Sequence, residues 1–182
     1  MKDDLTREIE LKSGVTAQLQ GNMLKIKGPK GEIIRSFLHP KINLSIEGNK
    51  IVLFAPRSTK REKTMLGSFE SHIVNMVQGV VEPYVYRLKI CSGHFPMSVS
   101  VAGNEVVIKN FLGEAVPRKV EIMKGAEVKV TGEEIVVSSP DVEVAGQTAA
   151  KIETACKITN RDRRIFQDGC YITHKADKSV RA

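Results

Sequence analysis

The chain carries an internal repeat, and this repeat limits its possible folds more than any other feature. Short glycine-containing pairs and the apolar runs beside them return further along the chain, at offsets of 82, 84 and 79 residues. The matched positions are Gly21-Asn22 with Gly103-Asn104, Gly31-Glu32 with Gly113-Glu114, Gly48-Asn49 with Gly132-Glu133, Pro56 with Pro140, Gly67 with Gly146, and Ile73 with Ile152. Self-similarity at a drifting but nearly fixed offset indicates two copies of one structural unit.

Each copy begins with strand-like segments joined by tight turns. Apolar and polar residues alternate on both sides of Gly21-Asn22 and Gly48-Asn49, and a glycine next to an asparagine suits the positive φ angles of short hairpins. The predicted strands are 16–20, 24–27, 42–46 and 51–54 in the first copy, and 99–101, 106–108, 128–130 and 135–137 in the second.

Each copy ends in a predicted helix. Thr59 and Glu62 have capping-box spacing, apolar residues then recur at helical intervals, and Gly79 follows as a stop signal. Asp141 can cap the second helix. One apolar helix face over one sheet face predicts an α+β fold. We expect two tandem units, 1–82 and 83–182, each with an antiparallel or mixed sheet packed against one helix as a two-layer sandwich. Residues 157–182 form a basic extension of the second unit.

The excess of basic charge lies in residues 1–82 and in residues 157–182. The net charge is +7, and the last 26 residues hold seven basic against three acidic side chains. Residues 83–156 are close to neutral, with eight basic and nine acidic side chains. This distribution favours a polyanionic partner, although a basic charge also suits an anionic membrane surface or simple solubility.

The candidate binding residues follow from this charge. Three arginines, Arg161, Arg163 and Arg164, stand within four residues, and Asp162 between them could hold one in place. Guanidinium groups present donor pairs that suit phosphates. The full candidate set is Lys157, Arg161, Arg163, Arg164, Lys175, Lys178 and Arg181, followed by a second cluster of Lys109, Arg118 and Lys119 beside the apolar pair Phe111-Leu112. Thr173 to Ala182 resemble a tail that becomes ordered only on its partner.

Two other clusters rank lower as binding sites. Arg57, Lys60, Arg61 and Lys63 lie at the start of the first helix, where basic charge opposes the helix dipole. The Gly28-Pro29-Lys30-Gly31 segment matches the G-x-x-G of a KH loop, but strand-like segments flank it, so we interpret it as a turn that exposes Lys27 and Lys30.

Catalytic, cofactor and metal signatures are missing from the sequence. The four histidines are scattered, there is no nucleotide-binding glycine motif, and the three cysteines, Cys91, Cys156 and Cys170, form no C-x-x-C pair. Three reduced cytosolic thiols are the simplest interpretation, while Cys91 and His94 leave open a nucleophile–base pair. We therefore expect no enzyme, no cofactor and no metal. No apolar run reaches the ~18 residues of a membrane span, and the acidic N-terminus is not a signal peptide.

Several segments together resemble the large-subunit ribosomal protein L-six family, in its archaeal and eukaryotic branch, whose eukaryotic members are called L-nine-e. The matching segments are 15–31 with its GPKG turn, 71–80, 94–96, 110–114 and 162–172. The resemblance implies a pair of similar α+β units that bind large-subunit ribosomal RNA, mainly through the second unit and the C-terminal segment. It also implies a position near the factor-binding region, close to the sarcin-ricin loop and the stalk base. The bacterial branch has a Pro/Lys/Gly-rich C-terminal signature that this chain lacks.

From the residues and the resemblance we expect a structural constituent of the large ribosomal subunit that works in translation in the cytoplasm. Its expected partners are ribosomal RNA and neighbouring ribosomal proteins, with translational GTPases as further candidates and with no membrane and no DNA. Two alternatives stay open at this stage. One is an RNA-modifying or processing enzyme on the same platform, and the other is a protein-interaction module whose charge serves only solubility.

Overall fold

The computed structural model of the chain describes residues 3–176 and divides it into two compact units, Met1–Pro83 and Tyr84–Ala182. The first unit contains β1 (Asp3–Glu10), β2 (Thr16–Gln20), β3 (Met23–Gly28), β4 (Gly31–Ser36), β5 (Asn43–Glu47), β6 (Lys50–Ser58) and α1 (Lys60–Gly79). The second contains β7 (Tyr84–Cys91), β8 (Ser98–Ala102), β9 (Glu105–Lys109), β10 (Arg118–Glu121), β11 (Glu127–Thr131), β12 (Glu134–Ser139), α2 (Val142–Ala155) and β13 (Gly169–His174).

The two units have the same strand order, apart from one additional strand, β13, in the second unit. The first unit has the sheets β1-β6-β5 and β2-β3-β4, and the second has β7-β12-β11 and β8-β9-β10, with every pairing antiparallel. The predicted α+β class and the internal duplication are therefore confirmed. The number of sheets differs from the prediction, because the strands of each unit separate into two small sheets instead of forming a single one. The hairpin turns at Gly21 and Gly103 both have φ near +60°, which glycine adopts without steric cost.

Both helices begin with the predicted caps. The Glu62 carboxylate accepts hydrogen bonds from the amide of Thr59, at 2.8 Å, and from its hydroxyl. Asp141 accepts the amide of Glu143 at 2.9 Å. The hydrogen bonds from Thr59 and from Lys41 lower the pKa of Glu62 to about 2. The acidic residue in the first turn of α1 thus offsets the basic residues around it.

Each unit has its own core. In the first, α1 buries Leu66, Phe69 and Ile73 against apolar residues of both sheets. In the second, Ala149 and Ile152 of α2 belong to the buried cluster of the strands. Small residues dominate the buried face of α2, so this helix can lie close to its sheet. Within the described residues, 3–176, no helix is long and apolar enough to cross a membrane.

The strand β13 is the main difference between the two units. It pairs antiparallel with β7, so β7 lies between β12 and β13, whereas its counterpart β1 is an edge strand beside β6. The sequence of β1, DDLTREIE, is rich in charge, and charges commonly protect exposed sheet edges from pairing with other chains. In the second unit β13 covers that edge, and it brings the basic C-terminal segment with it.

Candidate nucleic-acid interface

The segment that precedes β13 is fastened to the core of the second unit. Ile158 and Cys170 are buried members of that core, and Phe166 packs against it. The backbone amide of Ile172 also donates to the Glu153 carboxylate of α2 at 2.9 Å. Removing the chain from residue 157 onward would therefore take away core residues and a sheet strand. The expectation of a tail from Thr173 is corrected in part, because β13 extends through His174.

Asp168 is the buried polar centre of this attachment. It is only 2% exposed, and its Oδ1 accepts the backbone amides of Gly93 and His94 at 2.5 and 3.0 Å. Its Oδ2 lies 2.7 Å from Nδ1 of the His94 ring. Burial opposes the charged form of Asp168, but these hydrogen bonds outweigh it and lower the pKa of the carboxyl group below its ordinary value. The residue thereby joins the loop after β7 to the start of β13.

A stack of planar groups places Arg161 over this attachment. The Phe166 ring is stacked on the His94 ring with centroids 4.7 Å apart. The Arg161 guanidinium lies 4.9 Å from the centroid of the same Phe166 ring, within cation–π distance. Asp168 orients His94, His94 supports Phe166, and Phe166 positions Arg161. Arg161 is therefore presented by a supported aromatic ring.

The three arginines differ in their partners. Arg164 is bound by Asp162, with a distance of 2.7 Å between its Nη2 and Oδ2, and this ion pair lowers the pKa of Asp162. The sequence prediction that Asp162 holds one arginine is confirmed. Among the described residues, neither Arg163 nor Lys157 forms an ion pair with a carboxylate. Both are exposed, so their positive charges are available to an anion.

Three other predicted residues lie at or beyond the end of the described chain. Lys175 is exposed and follows β13 directly. Lys178 and Arg181 lie outside the described residues.

The three basic residues of the second predicted cluster lie in different environments. Lys109, at the end of β9, is exposed, and Lys119 is exposed while its Nζ lies 3.3 Å from Glu105. Arg118 is different, because its Nε donates to Glu114 at 2.8 Å and its Nη1 donates to the Ala155 carbonyl at 2.6 Å.

The apolar residues near Arg118 also have internal roles. The Arg118 guanidinium lies 4.2 Å from the centroid of the Phe111 ring, and Phe111 is 1% exposed in the core. Leu112 packs against the same core. The apolar character of this loop is explained by packing, and Arg118 links the loop to the C-terminal end of α2. Its geometry is that of a structural anchor.

The first unit also exposes basic residues, at the end of β6 and the start of α1. Arg57, Lys60, Arg61 and Lys63 are exposed, and the backbone amide of Arg57 donates to Asp4 at 2.7 Å. The GPKG segment is the turn between β3 and β4, with Lys27 and Lys30 exposed as predicted. Its Gly28 has a packing reason, because a Cβ there would lie 2.7 to 2.9 Å from atoms of Val80.

The cysteines and histidines form no catalytic arrangement in the described residues. No hydrogen bond joins the Cys91 thiol to His94, whose Nδ1 is bound to Asp168. Cys156 and Cys170 are buried side by side, and the hydrogen bond that the Cys170 thiol donates to Cys156, together with burial, raises the pKa of Cys170. A thiol with a raised pKa is a poor nucleophile. Within residues 3–176 no group of His, Cys, Asp and Glu side chains is arranged to hold a metal ion.

These features define a class of protein: a duplicated α+β scaffold whose second copy carries an extra strand and, next to it, a firmly attached basic segment. The family model for ribosomal protein L6 matches residues 12–82 and 95–169, one segment in each unit. The chain belongs to the ribosomal protein L6 family.

Curated archaeal relatives agree with this assignment over nearly the whole chain. The chain is 49% identical to a protein of Saccharolobus solfataricus over 94% of its own length and 95% of the relative's. It is 44% identical to a protein of Nanoarchaeum equitans, over 95% and 94% of the two chains, and 47% identical to one of Sulfurisphaera tokodaii, over 94% and 92%. All three are named large ribosomal subunit protein uL6. The predicted archaeal and eukaryotic branch is confirmed, and these relatives are named as ribosomal proteins and not as enzymes.

Proposed function

We propose that this chain is a structural protein of the large ribosomal subunit, in the cytoplasm, and that it binds large-subunit ribosomal RNA with the basic segment of its second unit. Family membership supports the ribosomal role in translation. One observation supports the binding site. Arg163 and Lys157 have no carboxylate partner among the described residues, yet buried groups hold the segment that carries them in place. Unpaired cations on a fixed segment are suited to phosphate binding.

The fixed backbone matters for affinity. A flexible basic tail loses conformational entropy when it binds, whereas a segment held by Asp168, Phe166 and the strand β13 is already ordered. Its charges therefore approach the RNA backbone with a defined spacing. Such binding neutralises phosphates, releases counterions and weakens as salt rises. We assign direct phosphate contacts first to Arg163, Lys157 and Arg161, and then to Lys175.

A matched pair of variants tests this assignment. Arg163→Gln and Arg164→Gln remove the same formal charge one residue apart, but only Arg164 is bound to Asp162. Binding of the full chain to a large-subunit RNA fragment is measured by filter retention across a salt series. We expect Arg163→Gln to reduce the slope of log affinity against log salt by roughly 0.7–0.9, the value for one phosphate contact.

Arg164→Gln is the control, and we expect its slope to stay closer to that of the wild-type chain. Equal slopes for both variants and the wild-type chain would contradict the assignment. Equal losses in both variants would contradict it as well, because they would show that only the net charge matters. RNA binding that does not respond to salt would instead favour the protein-interaction alternative.

The position within the subunit is part of the same proposal. The family resemblance supports a site near the factor-binding region, close to the sarcin-ricin loop and the stalk base, with translational GTPases as candidate neighbours. Chemical probing of subunits assembled with and without the chain tests it. We expect new protection in those RNA elements, and protection confined to distant elements would contradict the placement.

A further inference from the structure

We propose that an unpaired nucleotide of the bound RNA inserts its base into the cavity between the C-terminal end of α2 and the strand β13, with its phosphate on Lys157 and Arg163. This inference rests on the proposed RNA-binding function and adds to it a specific pocket and a specific ligand class. It concerns single-stranded or bulged RNA, since a base within a duplex cannot leave its stack without cost.

The cavity has a volume and a lining that suit one base. Its volume is about 290 Å³, and it is lined by Glu153, Thr154, Cys156, Lys157, Ile158, Arg163 and Tyr171. This volume lies at the lower end of the ~300–1,000 Å³ range of small-molecule sites, so the cavity suits a ligand no larger than a single planar ring system. The buried side chains of Cys156 and Ile158 supply an apolar part of its wall, which suits the face of a base.

Tyr171 provides an aromatic surface that is already fixed. A Cβ placed on Gly169 would lie 3.3 Å from the Tyr171 ring, so the ring packs directly over the bare backbone of Gly169. The phenol hydroxyl lies 3.4 Å from the carbonyl oxygen of Asp168, its hydrogen-bond acceptor. The residue is still 42% exposed. A ring held in this way can stack with a base and loses little entropy, which is how aromatic side chains bind unpaired nucleotides.

The charges around the cavity decide the orientation of the nucleotide. Lys157 and Arg163 are exposed cations without carboxylate partners among the described residues, so they suit a phosphate at the rim. The Glu153 carboxylate lines the same cavity, with one oxygen bound to the amide of Ile172. The negative charge of this carboxylate repels a phosphate, but its oxygens accept hydrogen bonds from the N–H groups of a base. The base therefore lies inside, and the phosphate lies outside.

A second cavity continues the path for the RNA strand. It is wider, about 730 Å³, and the loop after β7 lines it together with Arg163 and Tyr171. Arg163 and Tyr171 line both cavities. A strand whose one base stacks on Tyr171 has room for a neighbouring nucleotide in this second cavity.

The test uses the full chain with isotope-labelled isoleucine methyl groups and two RNA probes. One probe is a short unpaired oligonucleotide of mixed sequence, and the other is a blunt-ended duplex with the same number of phosphates. A base in the cavity shifts the Ile158 methyl signals through its ring current, while Ile26 in the core of the first unit serves as an internal reference. We expect the unpaired probe to shift Ile158 and leave Ile26 unchanged, and the duplex to shift neither.

Substitutions at Tyr171 supply the energetic measure. Tyr171→Leu removes the ring, Tyr171→Phe keeps the ring without its hydroxyl, and Phe54→Leu removes an exposed aromatic side chain of the first unit as a matched control. We expect Tyr171→Leu to weaken binding of the unpaired probe roughly fivefold to a hundredfold, in line with the value of one base stacked on an aromatic ring. The other two variants should bind like the wild-type chain.

The outcomes separate this inference from the function it rests on. Salt-dependent binding of both probes, with no Ile158 shift and no effect of Tyr171→Leu, overturns the pocket and leaves the ribosomal RNA assignment standing. Absence of binding to both probes and to the ribosomal RNA fragment overturns both. If Tyr171→Leu does not fold, the Ile158 shift in the wild-type chain decides the question by itself.

Discussion

Asp168→Ala is the substitution that most sharply tests how the basic segment is held. The change deletes the acceptor of two backbone amides and of the His94 ring. A buried donor left without an acceptor costs about 1–3 kcal/mol. The three donors belong to Gly93 and His94, which are exposed residues, so the lower end of this range applies to each donor. We therefore expect the free energy of unfolding of the second unit to fall by about 3 kcal/mol. That is a large fraction of the ~5–15 kcal/mol typical of a domain.

The chain contains its own probe for the unit concerned. All three tyrosines, Tyr84, Tyr86 and Tyr171, lie in the second unit, and the chain has no tryptophan. Tyrosine fluorescence during urea unfolding therefore reports on the second unit alone. The free energy comes from linear extrapolation, and an unchanged slope shows that the substitution altered stability and not the extent of unfolding.

Asp162→Ala is the matched control, because it also removes a carboxylate from the same segment. Asp162 is on the surface and binds Arg164, and surface ion pairs contribute little to stability. We expect its unfolding curve to overlay that of the wild-type chain. If Asp168→Ala were as stable as Asp162→Ala, Asp168 would not be the attachment point.

Asp168→Asn and the pH dependence refine the same test. The asparagine oxygen can still accept the two amides, so its stability should lie between those of the wild-type chain and the alanine variant. The folded-state pKa of Asp168 is lowered from its ordinary value of 3.8. Its ionised form therefore adds stability above pH 3.8, and this contribution is lost as the pH falls through the lower folded value. The asparagine variant should lack that part of the acid dependence.

Three further predictions concern other parts of the molecule. Glu62→Gln should destabilise the first turn of α1 at neutral pH, as measured by amide hydrogen exchange. The pKa of Glu62 is lowered from 4.5 to about 2, so the difference in exchange from the wild-type chain should vanish as the pH falls from 4.5 to about 2. Gly28→Ala should lower the melting temperature of the first unit in calorimetry, because the new Cβ meets Val80, whereas Gly67→Ala, which meets nothing within 4 Å in α1, should stabilise it by about 0.5–1 kcal/mol. Arg118→Lys should lower the stability of the second unit, measured by tyrosine fluorescence, because a lysine cannot replace the paired guanidinium contacts. RNA affinity should stay nearly unchanged. A large loss of affinity in a variant of unchanged stability would show that Arg118 binds RNA directly.

The repeat allowed much of the fold to be predicted. Hairpin turns at Gly21 and Gly103, and the caps at Thr59 and Asp141, are local signals that depend on a few adjacent residues. They were confirmed because no distant contact competes with them. The strands β1, β4, β7 and β10 were not among the predicted strands. The charged sequence of β1, typical of an edge strand, has no clear alternation, and only its pairing with β6 makes it a strand. The division into two sheets per unit depends on such long-range pairings as well.

The basic residues of the binding surface could be predicted from the sequence, but most of their intramolecular contacts could not. Composition identified the arginine cluster, and the neighbouring Asp162 signalled one ion pair. It could not show that Arg118 binds the Ala155 carbonyl or that the His94 ring supports Phe166, because those partners are distant in sequence. Likewise, only the fold shows that Tyr171 borders two cavities.

Ultraviolet crosslinking of large ribosomal subunits that contain this chain, followed by mass spectrometry of its peptides, tests the central claim most directly. We predict RNA adducts on peptides from residues 157–175, at Lys157, Arg163 or Tyr171, with fewer on the first unit. Adducts confined to the cluster from Arg57 to Lys63, with none between residues 157 and 175, would contradict the claim that the attached basic segment of the second unit binds the RNA.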